Sequence, residues 1–121
     1  MEVLKIPSKE AVFRKELAKL NEIFENVEPA KTKLCEGLIE DAAFLLAENH
    51  VLKEVISKTG MIKIHPNHPE LQKQTEAGKQ YLKNLNSYAV VVKTLNGVLS
   101  KDLSEGDDEF VEFMRKANGG E

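Results

Sequence analysis

A long apolar seam in the middle of the sequence most constrains the fold. It recurs at alternating intervals of four and three residues between residues 28 and 57, and its members are Leu38, Ala42, Leu45, Asn49, Leu52 and Ile56. This is the spacing with which one α-helix packs along another in a coiled coil. Glu28-Pro29 favours a helix start, because proline suits a first turn and an acidic residue suits its positive end. A helix of about 29 residues would form a rod of roughly 43 Å, long for so short a chain.

The same predicted helix has a second apolar face, formed by Ile39, Ala43 and Leu46. A helix with two apolar faces can be packed from two sides. We expect the preceding helix to cover one side and a neighbouring subunit to meet the seam, which makes the chain a homo-oligomer. Asn49 on the seam either fixes register and partner number, as buried polar residues can, or lies at a wetted edge.

Two further elements are predicted on either side of this helix. Ser8 precedes apolar residues spaced by three and four, which predicts an amphipathic helix over residues 8–26 with Ser8 as its N-cap. At the other end, Val55-Ile56 and Met61–Ile64 flank a connection that ends in Gly60. Two short apolar segments around such a connection predict a small β-hairpin.

The remainder of the chain predicts a third helix, an acidic linker and a short C-terminal helix. The third helix starts at Pro69 and stops at Asn96-Gly97, and the short one starts near Asp107. The expected fold is therefore mainly α: an antiparallel helical hairpin, a small β-hairpin, another long helix and a short C-terminal helix. We expect residues 1–101 to form one helical domain and residues 102–121 to form the acidic linker and short helix.

The stretch "MIKIHPNHPELQ" contains two closely spaced histidines, His65 and His68. Prolines on both sides of His68 restrict the backbone, and neither a thiolate nor a pair of carboxylates lies nearby to complete a metal site. We interpret the stretch as a join between a strand and a helix, without metal, catalytic residue or cofactor. An enzymatic alternative would use His65 or His68 with Glu70 as acid and base.

Charge is unevenly distributed along the chain. The net charge is -3, yet residues 61–101 contain six basic and two acidic residues, whereas residues 102–121 contain two basic and seven acidic ones. An acidic total argues against a diffuse attraction to nucleic acid. On the third helix, however, four side chains fall within an arc of about 80° and form a candidate surface for phosphate. These residues, here called the lysine stripe, are Lys79, Lys83, Asn86 and Lys93.

The apolar runs of the sequence are short. None approaches the roughly 20 residues that a bilayer-spanning helix needs, and Met1 to Ile6 shows no secretory signal, so we expect a cytoplasmic protein with no membrane partner. Cys35 is the single cysteine, which excludes an intrachain disulfide and a cysteine-rich zinc module. We expect it to be a small buried helix residue.

The order of these elements resembles that of phage terminase small subunits. The resemblance covers roughly Phe13 to Lys116 and includes "TGMIKIHP", with Gly60 and His65-Pro66 or His68-Pro69, between a helical hairpin and the next helix. It implies a ring-forming, non-catalytic oligomer in a bacterial host cell or prophage, which recognises viral double-stranded DNA and hands it to the terminase large subunit. Residues 1–101 would then be the oligomerisation and DNA-recognition domain.

This chain departs from that family in two respects. Leu99-Ser100-Lys101 stands where many members have a Leu-Thr-Pro-like element, and the overall charge is acidic, which confines any DNA affinity to a local patch summed over a ring. The resemblance implies no particular DNA-binding residue, so the assignment of the lysine stripe as a DNA-binding surface depends on this sequence alone. A helical protein-interaction adaptor without a nucleic-acid role is the alternative function.

Overall fold

Three helices and one small sheet make up the protein. The computed structural model describes residues 8–117, without the side chains of residues 105–111. In chain order the elements are α1 (Lys9–Ile23), α2 (Pro29–Thr59), β1 (Ile62–Ile64), β2 (Gln72–Gln74) and α3 (Glu76–Ala117). The predicted mainly helical fold with a small antiparallel sheet and a long third helix is confirmed. Within the described ranges, no helix is both long and apolar enough to span a membrane.

The predicted starts of α1 and α2 are confirmed. The Ser8 hydroxyl accepts a hydrogen bond from the backbone N–H of Ala11 at 3.1 Å, which satisfies one of the unpaired donors of the first turn. Pro29 stands in the first turn of α2, after Glu28. The helices run antiparallel, since Lys9 at the start of α1 forms an ion pair with Glu48 far along α2.

The core lies where the C-terminal half of α1 meets the first half of α2 and the middle of α3. Its buried members are Leu20, Phe24, Val27, Cys35, Ile39, Ala42 and Leu95. Phe24 and Ile39 are the largest fully buried side chains among the described residues. The expectation that Cys35 is buried in a helix is confirmed.

The predicted position of the β-hairpin is wrong. Val55-Ile56 belongs to α2, and the strand that pairs with β1 is β2, in a register that sets Lys63 opposite Lys73. The helical period of the seam continues through Ile56, so α2 extends to Thr59 before Gly60 ends it. The stretch around His65 and His68 is therefore the loop between the two strands, rather than a join to a helix. Its ends are closed by a hydrogen bond from His65 N–H to the Leu71 carbonyl at 3.0 Å.

The predicted limits of the third helix are also wrong. Thr75 caps α3, because its hydroxyl accepts a hydrogen bond from Gly78 N–H at 3.0 Å, so the helix starts after Pro69 and β2. It then continues through Gly97, and the predicted linker and short helix form part of one 42-residue helix. A glycine inside a helix costs only about 1 kcal/mol relative to alanine, and buried Leu95 with half-buried Val98 anchors the helix on either side. The division into residues 1–101 and 102–121 stays a prediction.

Gly60 ends α2 with a backbone conformation that other residues rarely adopt, at φ 76° and ψ 168°. We expect Gly60→Ala to lower the free energy of unfolding by about 1–3 kcal/mol, because the left-handed φ is strained with any Cβ. Gly37→Ala is the matched control: Gly37 lies inside α2 with open space around it, so alanine should raise stability by about 0.5–1 kcal/mol. Urea denaturation of both variants measures the difference. Equal changes in the free energy of unfolding of the two variants would contradict a conformational role for Gly60.

Candidate nucleic-acid interface

The lysine stripe lies on the outer face of α3. Lys83, Asn86 and Lys93 are exposed, and half-buried Lys79 lies 3.6 Å from the Glu76 carboxylate. This face is turned away from the side of the helix that buries Leu95 in the core. The four side chains are therefore brought together on one surface, as their spacing predicts, and their role in binding DNA stays a prediction.

The stripe is long enough to follow several phosphates. Lys79 and Lys93 are separated by a rise of about 21 Å along the helix, and exposed Lys101 extends the same face to about 33 Å. The stripe is not purely polar, however: Val90, which is 65% exposed, lies between its lysines, and exposed Leu82 borders them. The surface thus offers both positive charge and apolar contact.

The β-hairpin adds a second basic element that sequence reasoning missed. It joins the ends of α2 and α3, and each of its residues from Met61 to Gln74 is exposed. Lys63 and Lys73 stand directly opposite each other in the two strands. Like charges in such a pair are destabilising in isolation, and an anionic partner would relieve their repulsion. The pairing could not be read from sequence because β2, "QKQ", has no apolar residue to mark it as a strand.

The two histidines lie in the hairpin loop with their ring centroids 5.0 Å apart. His65 Nδ1 accepts a hydrogen bond from Asn67 N–H at 3.1 Å, and His68 Nδ1 lies 3.4 Å from the Glu70 carboxylate. An open depression of about 670 Å³ borders the loop, lined in part by Ile64, His65 and Leu71. Across residues 8–117, apart from the seven side chains outside the description, no three His, Cys, Asp or Glu residues are grouped as metal ligands.

The α2 seam packs in part within the chain, and its assignment to a subunit interface stays a prediction. Ala42 and Asn49 are buried, while the other four members, Leu38, Leu45, Leu52 and Ile56, are half-buried. The Asn49 amide donates to the Tyr81 carbonyl of α3 at 3.4 Å, and Leu38 and Ala42 belong to the core region that includes Leu95. The spacing does match a helix partner, but that partner is α3 of the same chain. Asn49 is thus a buried contact to α3 and not a wetted edge residue.

Asn49 leaves a polar atom unused in the interior: its Oδ1 is buried and has no hydrogen-bond partner among the described residues. We expect Asn49→Leu to raise the free energy of unfolding by about 1 kcal/mol, because a half-satisfied polar group is replaced by an apolar one of similar volume. Asn49→Asp, of the same shape but charged, should lower it by about 2 kcal/mol or more. Urea denaturation at neutral pH compares the two, and a Leu variant less stable than the parent would contradict this account.

The apolar surface that remains exposed lies elsewhere on the helices. On α2 it includes Leu34, which is 85% exposed, with Phe44 and Val55 on the same side of the helix. A cavity of about 330 Å³ beside Phe44 is lined by Phe13 and Ala47, between α1 and α2. These side chains point away from the core. They are the surface of α2 that another copy could contact.

A partly buried ionic group lies on the core-facing side of α3, opposite the lysine stripe. Burial raises the pKa of Tyr88, and the nearby Glu16 carboxylate raises it further while Lys19 opposes the change. The hydrogen bond and charge of Glu16, whose carboxylate lies 3.0 Å from the Lys19 ammonium, in turn raise the pKa of Lys19. At neutral pH the phenol is therefore uncharged and the Lys19 ammonium is charged. The Glu16–Lys19 pair lies within α1, near enough to Tyr88 of α3 to change its pKa.

Comparison of the chain with protein-family models, with curated proteins and with solved structures found no match.

Proposed function

We propose that this protein is the small subunit of a phage DNA-packaging terminase, a non-enzymatic oligomer that recognises viral double-stranded DNA and regulates the large ATPase and nuclease subunit. The observation that carries the proposal is the lysine stripe, which α3 holds on its outer face, away from the core. The element order provides the further argument, since two long helices joined by a β-hairpin with a His-Pro loop resemble that family.

The electrostatics of a single chain favour weak binding. Three lysines of the stripe and the Lys63–Lys73 pair can each neutralise a phosphate, but the net charge of the chain is -3. An assembly that presents several stripes to one duplex multiplies the contact, and such avidity can exceed single-site affinity by roughly 10² to 10⁴. The exposed apolar residues of α2 and α3 supply surface for this assembly. Self-association is thus part of the proposed mechanism.

A salt titration tests the proposal. The affinity of the full-length protein for a labelled linear duplex is measured by fluorescence anisotropy between 50 and 200 mM salt, values chosen to span a steep range. Each neutralised phosphate contributes about 0.9 to the slope of log affinity against log salt, so three lysines per chain predict a slope of about -3 or steeper. No binding at 50 mM salt would overturn the DNA-binding role.

One observation favours the alternative of a protein-interaction adaptor without a nucleic-acid role. Val90 projects from the centre of the stripe with 65% of its side chain exposed, and phosphate offers nothing apolar to cover it. A partner helix with acidic and apolar residues would satisfy both the lysines and Val90. Val90→Ser discriminates the two functions: it should leave DNA affinity unchanged if phosphate is the ligand and weaken capture of a protein partner if it is not.

A further inference from the structure

Helix α3 carries an apolar seam on the flank of its core-facing side, where Leu99 packs against the core and the larger part is left exposed. The α3 seam starts at Leu82 and recurs at alternating intervals of three and four residues, through Val92 and Leu103, to Phe113. Asn96 and Gly106 are its two non-apolar positions. This strict seven-residue repeat extends over about four heptads, and a repeat of that length is typical of a helix that packs along a second helix.

The chain leaves much of this seam uncovered. Leu82 is 40% exposed, Leu103 69% and Phe113 66%. Lys31, near the start of α2, lies 3.3 Å from Asp102, so α3 extends beyond the bundle by about 22 Å after this point. An isolated helix with large apolar side chains is marginal in water, which indicates that another helix covers this extension.

The charges of α3 indicate which helix that is. From residue 76 to residue 101 the helix has four lysines and one glutamate, whereas from 102 to 117 it has six acidic and two basic residues. A second α3 in antiparallel orientation places the basic half of each helix beside the acidic half of the other. A parallel α3 would align like charges, which is unfavourable.

The residue sizes along the α3 seam fit the same arrangement. With the two helices fully overlapped and antiparallel, Leu82 of one copy is level with Phe113 of the other, and Val92 is level with Leu103. Large apolar side chains meet at both of these levels, and Asn96 is level with Leu99 at the centre. We propose that two copies of this protein pair through an antiparallel contact of their α3 seams. The pair goes beyond the proposed function and holds whether or not DNA is the ligand.

Substitution at Leu103 tests the pairing. Leu103 lies past the bundle and outside the core, so the Leu103→Asp variant should keep the bundle folded and lose at most the helical circular dichroism of the extension after Asp102. Its native mass should fall to half or less in light scattering. Leu71→Asp is the matched control, because Leu71 is a comparably exposed leucine that lies in the hairpin loop, outside the apolar surfaces of α2 and α3. A parent protein that is monomeric, or a Leu103→Asp variant with the parental mass, would overturn the proposal.

Cysteine cross-linking tests the orientation. Leu82→Cys and Phe113→Cys variants, mixed and oxidised under native conditions, should give a covalent heterodimer, because the antiparallel register places the two positions side by side. Within one chain they are roughly 46 Å apart, far beyond disulfide reach. Cross-linking of the Leu82→Cys variant to itself would indicate a parallel pair and overturn the proposal. Native Cys35 is buried, so the unmodified protein is the negative control. DNA affinity of the Leu103→Asp monomer, measured separately, distinguishes failure of this contact from failure of the proposed function.

Discussion

Replacement of Phe24 by alanine is expected to lower the free energy of unfolding by about 3–5 kcal/mol. Phe24 is 1% exposed and belongs to the core with Leu20, Val27 and Leu95. Truncation removes the burial of the ring and leaves a cavity that neighbouring helices can fill only in part. Since domains of this size have total stabilities of about 5–15 kcal/mol, the variant should be close to unfolding at room temperature.

Chemical denaturation followed by circular dichroism measures this change at a fixed chain concentration, because self-association would otherwise contribute. Leu34→Ala is the control: it also truncates a large apolar residue next to the core helices, but Leu34 is exposed, and its loss should change stability by no more than about 0.5 kcal/mol. Similar losses in the two variants would mean that Phe24 is not buried in the folded protein.

The second large effect is expected on DNA affinity. Lys83→Glu combined with Lys93→Glu reverses two charges of the lysine stripe, so binding to a duplex should be lost at salt concentrations where the parent binds. Both side chains are exposed, so the fold should be unaffected. Removal of two phosphate contacts per chain should also reduce the slope of log affinity against log salt by about 2.

A matched variant distinguishes the loss of a local DNA contact from an effect of the changed total charge on DNA affinity. Lys15→Glu with Lys33→Glu alters the net charge by the same amount, but these exposed lysines lie on α1 and α2. Gel retardation and anisotropy on both variants should show loss for the α3 pair and a much smaller change for the control pair. Equal losses would point to a diffuse charge effect, and unchanged binding in the α3 variant would exclude the stripe.

The predictions from the sequence are confirmed where the feature they concern depends only on neighbouring residues. The Ser8 cap and the Pro29 start depend on the hydrogen bonding and backbone angles of a single turn, so they could be predicted without the fold. The stripe followed from helical periodicity alone. The end of α3 could not be predicted in this way, because Gly97 stops a helix only where packing on both sides is weak, and here Leu95 and Val98 pack on the core region.

Only the part of the candidate interface that lies on one helix face could be predicted from the sequence. Lys83 and Lys93 share a face in any α-helix, whereas the approach of Lys63 to Lys73 depends on a strand register between segments with different patterns. Strand pairing is set by partner and turn together, and β2 has too little β-propensity to indicate it.

By itself the sequence determined where the first two helices begin and that the helix containing Asn49 must be packed against another helix. Periodicity states that a face is apolar, but it does not identify the surface that covers it. Tertiary structure decided that α3 of the same chain covers the α2 seam, because a 42-residue helix folds back along it through the β-hairpin. This packing of α3 against α2 leaves Leu82, Leu103 and Phe113 of α3 exposed. The need for a partner surface thus follows from the apolar periodicity of the helices, while the identity of that partner depends on how the chain folds back on itself.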